Sequence, residues 1–243
     1  MELQTVCFLV ALCIVAFFYA SVGHGGASGY LALMALFSVE PVFMKSSALT
    51  LNLFVASMSF YLFFRAGYFR WKLFWPFALA SVPAAFIGGN IQLDPAIYKK
   101  ILAVCLVFAV IRIVWKTGEQ SELKSVRVGI ALAIGLLLGL FSGLIGIGGG
   151  IILSPLILIF GWGNLKETAA VSALFIFVNS AAGLTGHALS GAEFSPEIIV
   201  WIAVALTGGT AGAYFGSKRL NFRALKFILA AVLVLASAKL FLV

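Results

Sequence analysis

Apolar residues fill this chain in long blocks, separated by short polar or glycine-rich breaks. The first block covers 5–22 and meets the break Gly23-His24-Gly25-Gly26-Ala27-Ser28-Gly29. A short apolar run over 30–37 follows, ending near Glu40-Pro41. Long blocks over about 45–64, 73–89 and 96–115 come next, with a basic, aromatic loop at 65–72 and a turn at Asp94-Pro95. A bilayer-crossing helix needs about 20 apolar residues at about 1.5 Å each, and an open strand or loop cannot cross lipid, so the long blocks predict membrane helices. The runs over 30–37 and 151–160 are too short to cross. Each predicts a hairpin with the long run before it, closed by a glycine turn inside the membrane.

After the polar stretch 116–127 the pattern starts again. A run over 128–145 meets Gly146-Ile147-Gly148-Gly149-Gly150, then a short run over 151–160, then helices over about 167–189, 197–216 and 222–243. The halves align residue by residue: Gly23, Gly25 and Gly26 fall on Gly146, Gly148 and Gly149, Phe37 on Phe160, and Ser57 on Ser180. Further on, Gly89 falls on Gly216, Leu93 on Leu220 and Lys99 on Lys226. Such duplication is the usual build of secondary transporters. The expected fold is an all-α integral membrane protein of two inverted repeats. Each has about five helical segments and begins with a glycine-broken hairpin. The repeats divide as 1–116 and 128–243, joined by a cytoplasmic linker at 117–127.

Composition agrees. Hydrophobic residues make up 63% of the chain and charged ones 10%, too few polar groups to cover a water-soluble fold. The net charge of +8 does not point to nucleic acid, because loop Lys and Arg are what orient a membrane protein. Five segments per half send Arg65, Arg70, Lys72, Arg112, Lys116, Lys124, Arg127, Lys166, Lys218, Arg219, Arg223 and Lys226 to one face. Only Lys45, Lys99, Lys100 and Lys239 go to the other. The crowded face is expected to be cytoplasmic and both termini outside, in the cell membrane. Residues 5–22 lack a basic lead and a small-residue cleavage site, and are read as a retained helix. Cys7, Cys13 and Cys105 lie inside apolar runs with no metal or redox spacing, and are read as small buried residues.

Glycine turns at membrane depth are tolerated only when buried in protein or facing a water-filled cavity. Where a short helix starts after such a turn, its first N–H groups have no helical partner and the helix dipole adds positive potential. That arrangement binds anions without a buried Arg or Lys. The expected substrate site therefore comprises His24, Gly25, Gly26 and Ser28 in the first half, with Thr50 and Asn52 on the next long helix. Gly148, Gly149, Gly150, Ser172 and Asn179 complete it from the second half. The hydroxyl and amide side chains have a plainer reading as helix-to-helix hydrogen bonds. His24 has two readings: a proton-sensing or anion-binding group, or a hydrogen-bonded structural histidine. His187, near a helix end, reads as solvated. Gly135, Gly139 and Gly143, and likewise Gly208, Gly212 and Gly216, recur every four residues and read as close helix packing.

The stretch Gly143-Leu144-Ile145-Gly146-Ile147-Gly148-Gly149-Gly150-Ile151-Ile152-Leu153-Ser154-Pro155, followed by Glu167-Thr168-Ala169-Ala170-Val171-Ser172-Ala173-Leu174-Phe175, resembles the sulfite exporter TauE/SafE family of permeases. The likeness covers nearly the whole chain and implies a multi-pass permease for sulfite, another sulfur-containing anion or a small organic acid. The first half departs from the family pattern, with His24-Gly25-Gly26-Ala27 and Ala32 where glycines and a proline are usual. The expectation is an alternating-access carrier of a small anion such as sulfite or an organosulfonate, with no cofactor and no metal. Its expected partners are the anion, the lipid bilayer and a second copy of the chain.

Three alternatives stay open. A passive anion channel shares the composition, and so does an organic-acid permease. An intramembrane serine enzyme would need Ser142 and His187 to pair, yet the Gly-x-Ser-x-Gly elbow is absent. An ATP-driven pump is excluded for this chain by the lack of a phosphate-binding Gly-x-x-x-x-Gly-Lys-Ser/Thr loop.

Overall fold

The computed structural model describes residues 3–114, 123–218 and 233–240. Every regular element among them is helical: α1 (Leu3–Ser21), α2 (Ala27–Leu36), α3 (Pro41–Arg65), α4 (Trp71–Asn90), α5 (Pro95–Val114), α6 (Val128–Ile145), α7 (Gly150–Phe160), α8 (Leu165–Leu189) and α9 (Ile198–Lys218), with a further helical segment at 233–240. Six of these, α1, α3, α4, α6, α8 and α9, are long and apolar enough to cross a bilayer. Most of the linker expected at 117–127 lies outside the described residues. So do most of the last expected helix and the basic residues Lys116, Arg219, Arg223 and Lys226.

Local chemistry sets the helix boundaries. Pro41 and Pro95 start α3 and α5, where a missing N–H costs nothing. Asn164 caps α8: its side chain accepts from the Lys166 and Glu167 amides, while the Glu167 carboxylate accepts from the Asn164 N–H at 3.0 Å. α1 and α6 end at Gly23 and Gly146, both with positive φ. α2 and α7 have only 10 and 11 residues, about 15 Å of helix, half of a hydrocarbon core about 30 Å thick.

The two longest helices, α3 and α8, pass each other antiparallel at the centre. Phe63 near the end of α3 packs with Ala169 and Ala170 near the start of α8, and Asn52 meets Ser180 halfway along. α4 packs on α6 and α8, while α9 packs on α1 and α3. In both outer interfaces, bare glycine backbone lets the helices touch. A methyl group at Gly135, Gly139 or Gly143 of α6 would strike the α4 carbonyls of Phe77, Ser81 and Ala85. One at Gly208, Gly212 or Gly216 of α9 would strike those of Cys13, Phe17 and Ser21 on α1.

Charge sorts to the ends of this bundle. Arg70 pairs with Glu167 at 3.1 Å, Lys166 donates to the Gly216 and Ser217 carbonyls, and the Lys124 N–H donates to Gly161 at 2.7 Å. These contacts gather the start of α4, the start of α8 and the ends of α7 and α9 at one end. At the other end Lys45 donates to the carbonyls of Gly88, Gly89 and Ile91 (2.8 Å to Gly89), closing the C-terminus of α4. Lys239 there donates to the Leu36 carbonyl and the Ser38 hydroxyl.

Two expectations need correcting. None of the cysteines is fully buried, Cys7 being exposed and Cys13 and Cys105 half-buried: in a bilayer the outer face of a helix meets lipid, which suits a thiol as well as a core does. His187 is not simply solvated, since both ring nitrogens are shielded and have no partner among the described residues. It lies on the final turn of α8, where the helix end packs into the bundle.

Candidate functional site

The glycine turns meet in the middle of the bundle. A methyl group at Gly25 would strike the Asn52 side chain and, at 2.9 Å, the Cγ2 of Ile176. A methyl group at Gly148 would strike Asn52 Nδ2 at 2.6 Å and the same Ile176 carbon at 3.0 Å. Asn52 of α3 and Ile176 of α8 are thus the common floor of both turns. Gly150 also lies against Ile176. The leading glycines sit on the opposite half: Gly23 on the Ala169 backbone of α8, and Gly146 on the Lys45 backbone of α3.

From this junction the short helices run outward. Gly26 precedes α2 with φ 102°, and Gly149 precedes α7 with φ 72°, left-handed values that cost an L-residue about 1–2 kcal/mol. Neither start has a side-chain cap. The first bonds back to the turns are Tyr30 N–H to Gly26 O at 2.9 Å and, at Gly149 O, Ile152 N–H at 3.3 Å and Leu153 N–H at 3.1 Å. The amides at 27–29 and at 150–151 therefore precede the α-helical ladder and face the N-terminal ends of their helices. Two buried positive dipole ends, unmatched by any carboxylate among the described residues at the junction, suit a small anion.

Side chains around the junction are polar and enclosed. Asn52 is fully buried; its Nδ2 donates to Ser180 Oγ at 3.3 Å, and its Oδ1 has no partner among the described residues. Ser28 Oγ and Tyr19 Oη are 2.8 Å apart. His24 is buried: Nδ1 lies 3.0 Å from the Val22 carbonyl, and Nε2 lies 3.1 Å from Ser154 Oγ on α7. Ser154 Oγ is in turn 2.8 Å from Ser172 Oγ and donates to the Gly150 carbonyl at 3.0 Å. A hydrogen-bonded chain thus runs from the first turn through α7 to α8.

The structure brings together His24, Gly25, Gly26, Ser28, Asn52, Gly148, Gly149, Gly150 and Ser172 of the expected set. Thr50 stands apart, its hydroxyl donating to Ser46 O at 2.8 Å on its own helix. Asn179 is buried one turn beyond Ile176, with Nδ2 donating to Phe175 O at 2.7 Å and Oδ1 unpartnered among the described residues.

Sequence reasoning missed Tyr30, Ser154, Ile176 and Ser180. The Tyr30 ring folds back over Gly26, within 2.6 Å of where a methyl group there would sit. Its hydroxyl is buried without a partner among the described residues. An aromatic at the start of an apolar run gives no sign of this. Ser154 and Ser180 carried a signal, as a hydroxyl inside the glycine motif and a serine in the internal repeat.

Ser142 Oγ and both His187 nitrogens have no hydrogen-bond partner among the described residues, so no serine–histidine pair forms there. No group of three or more His, Cys, Asp or Glu able to hold a metal occurs among the described residues.

Comparison with known proteins fits this architecture. The "Probable membrane transporter protein y4hK" of Sinorhizobium fredii (strain NBRC 101917 / NGR234) is 34% identical over 245 residues, spanning 99% of each chain. The "Probable membrane transporter protein YunE" of Bacillus subtilis (strain 168) is 28% identical over 131 residues, 54% of this chain and 48% of that protein. No solved structure matches the chain. The family described as Sulfite exporter TauE/SafE matches residues 7–240. With an all-helical membrane fold, a full-length transporter relative and that match over nearly its whole length, this chain belongs to the sulfite exporter TauE/SafE family of membrane permeases.

Proposed function

We propose that the protein carries a small sulfur-containing anion, such as sulfite or an organosulfonate, across the cell membrane by alternating access. The observation that carries this reading is the convergence of the two uncapped short helices on Asn52 and Ile176. Backbone N–H groups from both halves then surround one spot near the midplane. A site made of dipoles binds a small oxyanion and releases it again more readily than a buried Lys or Arg would. Sulfite enters through the family description alone.

In this reading the halves, 1–116 and 128–243, form an inverted repeat and rock about the α3–α8 crossing. The end holding Arg65, Arg70, Lys72, Lys166 and Lys218 faces the cytoplasm, and both termini lie outside. Purified protein in liposomes provides the test, with uptake of sulfite, sulfate, thiosulfate, methanesulfonate and acetate compared. Saturable uptake of one sulfur anion, abolished by Gly149→Val while the variant stays folded, is the expected result. Flux that grows linearly with concentration would replace the carrier by a channel, and uptake of acetate alone would replace the sulfur anion by a carboxylate.

A further inference from the structure

We infer that the junction between the turns takes its oxyanion in the singly charged, still protonated form, with Asn52 Oδ1 accepting the substrate's O–H. The inference rests on the anion reading above and narrows it to one protonation state. Donors alone would accommodate any oxyanion, and the junction supplies them as the first amides of α2 and α7 and the buried Tyr30 hydroxyl. Asn52 adds the opposite kind of group. Its side chain is fully buried, and Nδ2 is engaged by Ser180 Oγ at 3.3 Å, which leaves Oδ1 directed at Gly25 of the first turn. That oxygen is an acceptor without a donor among the described residues. A fully deprotonated oxyanion brings only lone pairs, so it would repel this carbonyl and leave it unsatisfied. An anion that keeps one proton satisfies the amides with its charged oxygens and Asn52 with its hydroxyl.

Charge leads the same way. A dianion costs more to desolvate than a monoanion, and no Lys or Arg head group is directed at the junction among the described residues to offset that cost. Lys45 is turned to the α4 carbonyls, and Lys166 to those at the end of α9. The titratable groups that do face the junction are His24 of the first turn, bonded to Val22 and Ser154, Tyr19 of α1 and Tyr30 of α2.

The test compares hydrogen sulfite with methanesulfinate, which replaces the hydroxyl by methyl and keeps the single charge and the other two oxygens. Each competes against labelled sulfite in liposome counterflow. Methanesulfinate is expected to bind roughly ten- to a hundredfold more weakly, because it leaves the buried carbonyl unpaired. Asn52→Leu is expected to bring the two within about threefold by weakening hydrogen sulfite. Uptake should fall with the hydrogen sulfite fraction as pH rises, and fall alike in His24→Gln, which assigns the dependence to the substrate.

Equal binding of the two probes by the parent protein would overturn the inference and leave the anion carrier standing. Binding of neither would also overturn it, and the uptake panel of thiosulfate, methanesulfonate and acetate would then decide the sulfur-anion reading separately. A pH course that disappears in His24→Gln would also overturn it, by moving the titrating proton onto the protein. The discrimination shown by the parent protein decides the matter even if Asn52→Leu does not fold.

Discussion

Around the first glycine turn, His24 lies 3.1 Å from Ser154, and Ser154 lies 2.8 Å from Ser172. The residues that the internal repeat aligns with these three are Ile147, Leu31 and Leu49, all apolar. Leu31 and Leu49 are fully buried, and Ile147 packs against the core that holds Leu31. The scaffolding, by contrast, is matched between the halves. Lys45 of α3 closes the end of α4, and Lys166 of α8 closes the end of α9. Glycine backbone joins α6 to α4 and α9 to α1, with the glycines of both interfaces in the second half, on its first and fourth elements. The duplication has kept backbone contacts on both sides and let the polar chemistry settle on one. In the site proposed above, a ligand would meet unequal partners on its two sides.

The largest expected effects test the matched scaffold. Gly143→Val and Gly212→Val each drive a side chain into a carbonyl that cannot retreat, at Ala85 and Phe17. Each should cost about 3 kcal/mol or more, leaving little folded protein by size-exclusion chromatography and thermal unfolding in detergent. If one is tolerated and the other is not, the two interfaces are not equivalent.

The unmatched chemistry comes next. Leu31→Ser cuts a fully buried leucine from the core and should lower stability by about 2–5 kcal/mol. Ser154→Ala removes the shared partner of His24 and Ser172 and should cost about 1–3 kcal/mol. Uptake measured per folded molecule is expected to drop for Ser154→Ala alone. An equal drop for Leu31→Ser would mean that the apolar trio also contributes to the site.

Smaller differences separate the lysine caps. Lys45→Met removes a buried ammonium that serves three carbonyls and should cost about 2–3 kcal/mol. Lys166→Met, at a more open site with two carbonyls, should cost about 1 kcal/mol, and a reversed order in melting temperature would count against the caps as a matched pair. Smallest is Arg70→Met, which opens the partly exposed pair with Glu167 and should change stability by about 0.5–1 kcal/mol.

Much of this arrangement was legible in the sequence, because glycine breaks, run lengths and loop charge are one-dimensional signals of membrane depth. The short α2 and α7, the length of α3 and α8 and the glycine packing faces all follow from such spacing; that α3 and α8 cross at the centre does not. What the sequence hid were contacts between residues far apart in number. Asn52 and Ser180 meet only because α3 and α8 cross, and Tyr30 reaches the first turn only because α2 folds its ring back over Gly26. Thr50 lies two residues from Asn52 but on another side of the helix, where its hydroxyl satisfies Ser46 O; proximity in sequence is a poor guide on a surface that turns 100° per residue.

The uncharged junction has an electrical consequence. In the carrier proposed above, a junction without a Lys or Arg head group moves none of their charge through the membrane field as it reorients empty, whereas the loaded one moves the full charge of its cargo. A monoanion gains or loses about 2.3 kcal/mol per 100 mV on crossing, so voltage acts on the loaded step and not on the empty return. For the monoanion carrier proposed above, a negative cell interior would favour outward movement.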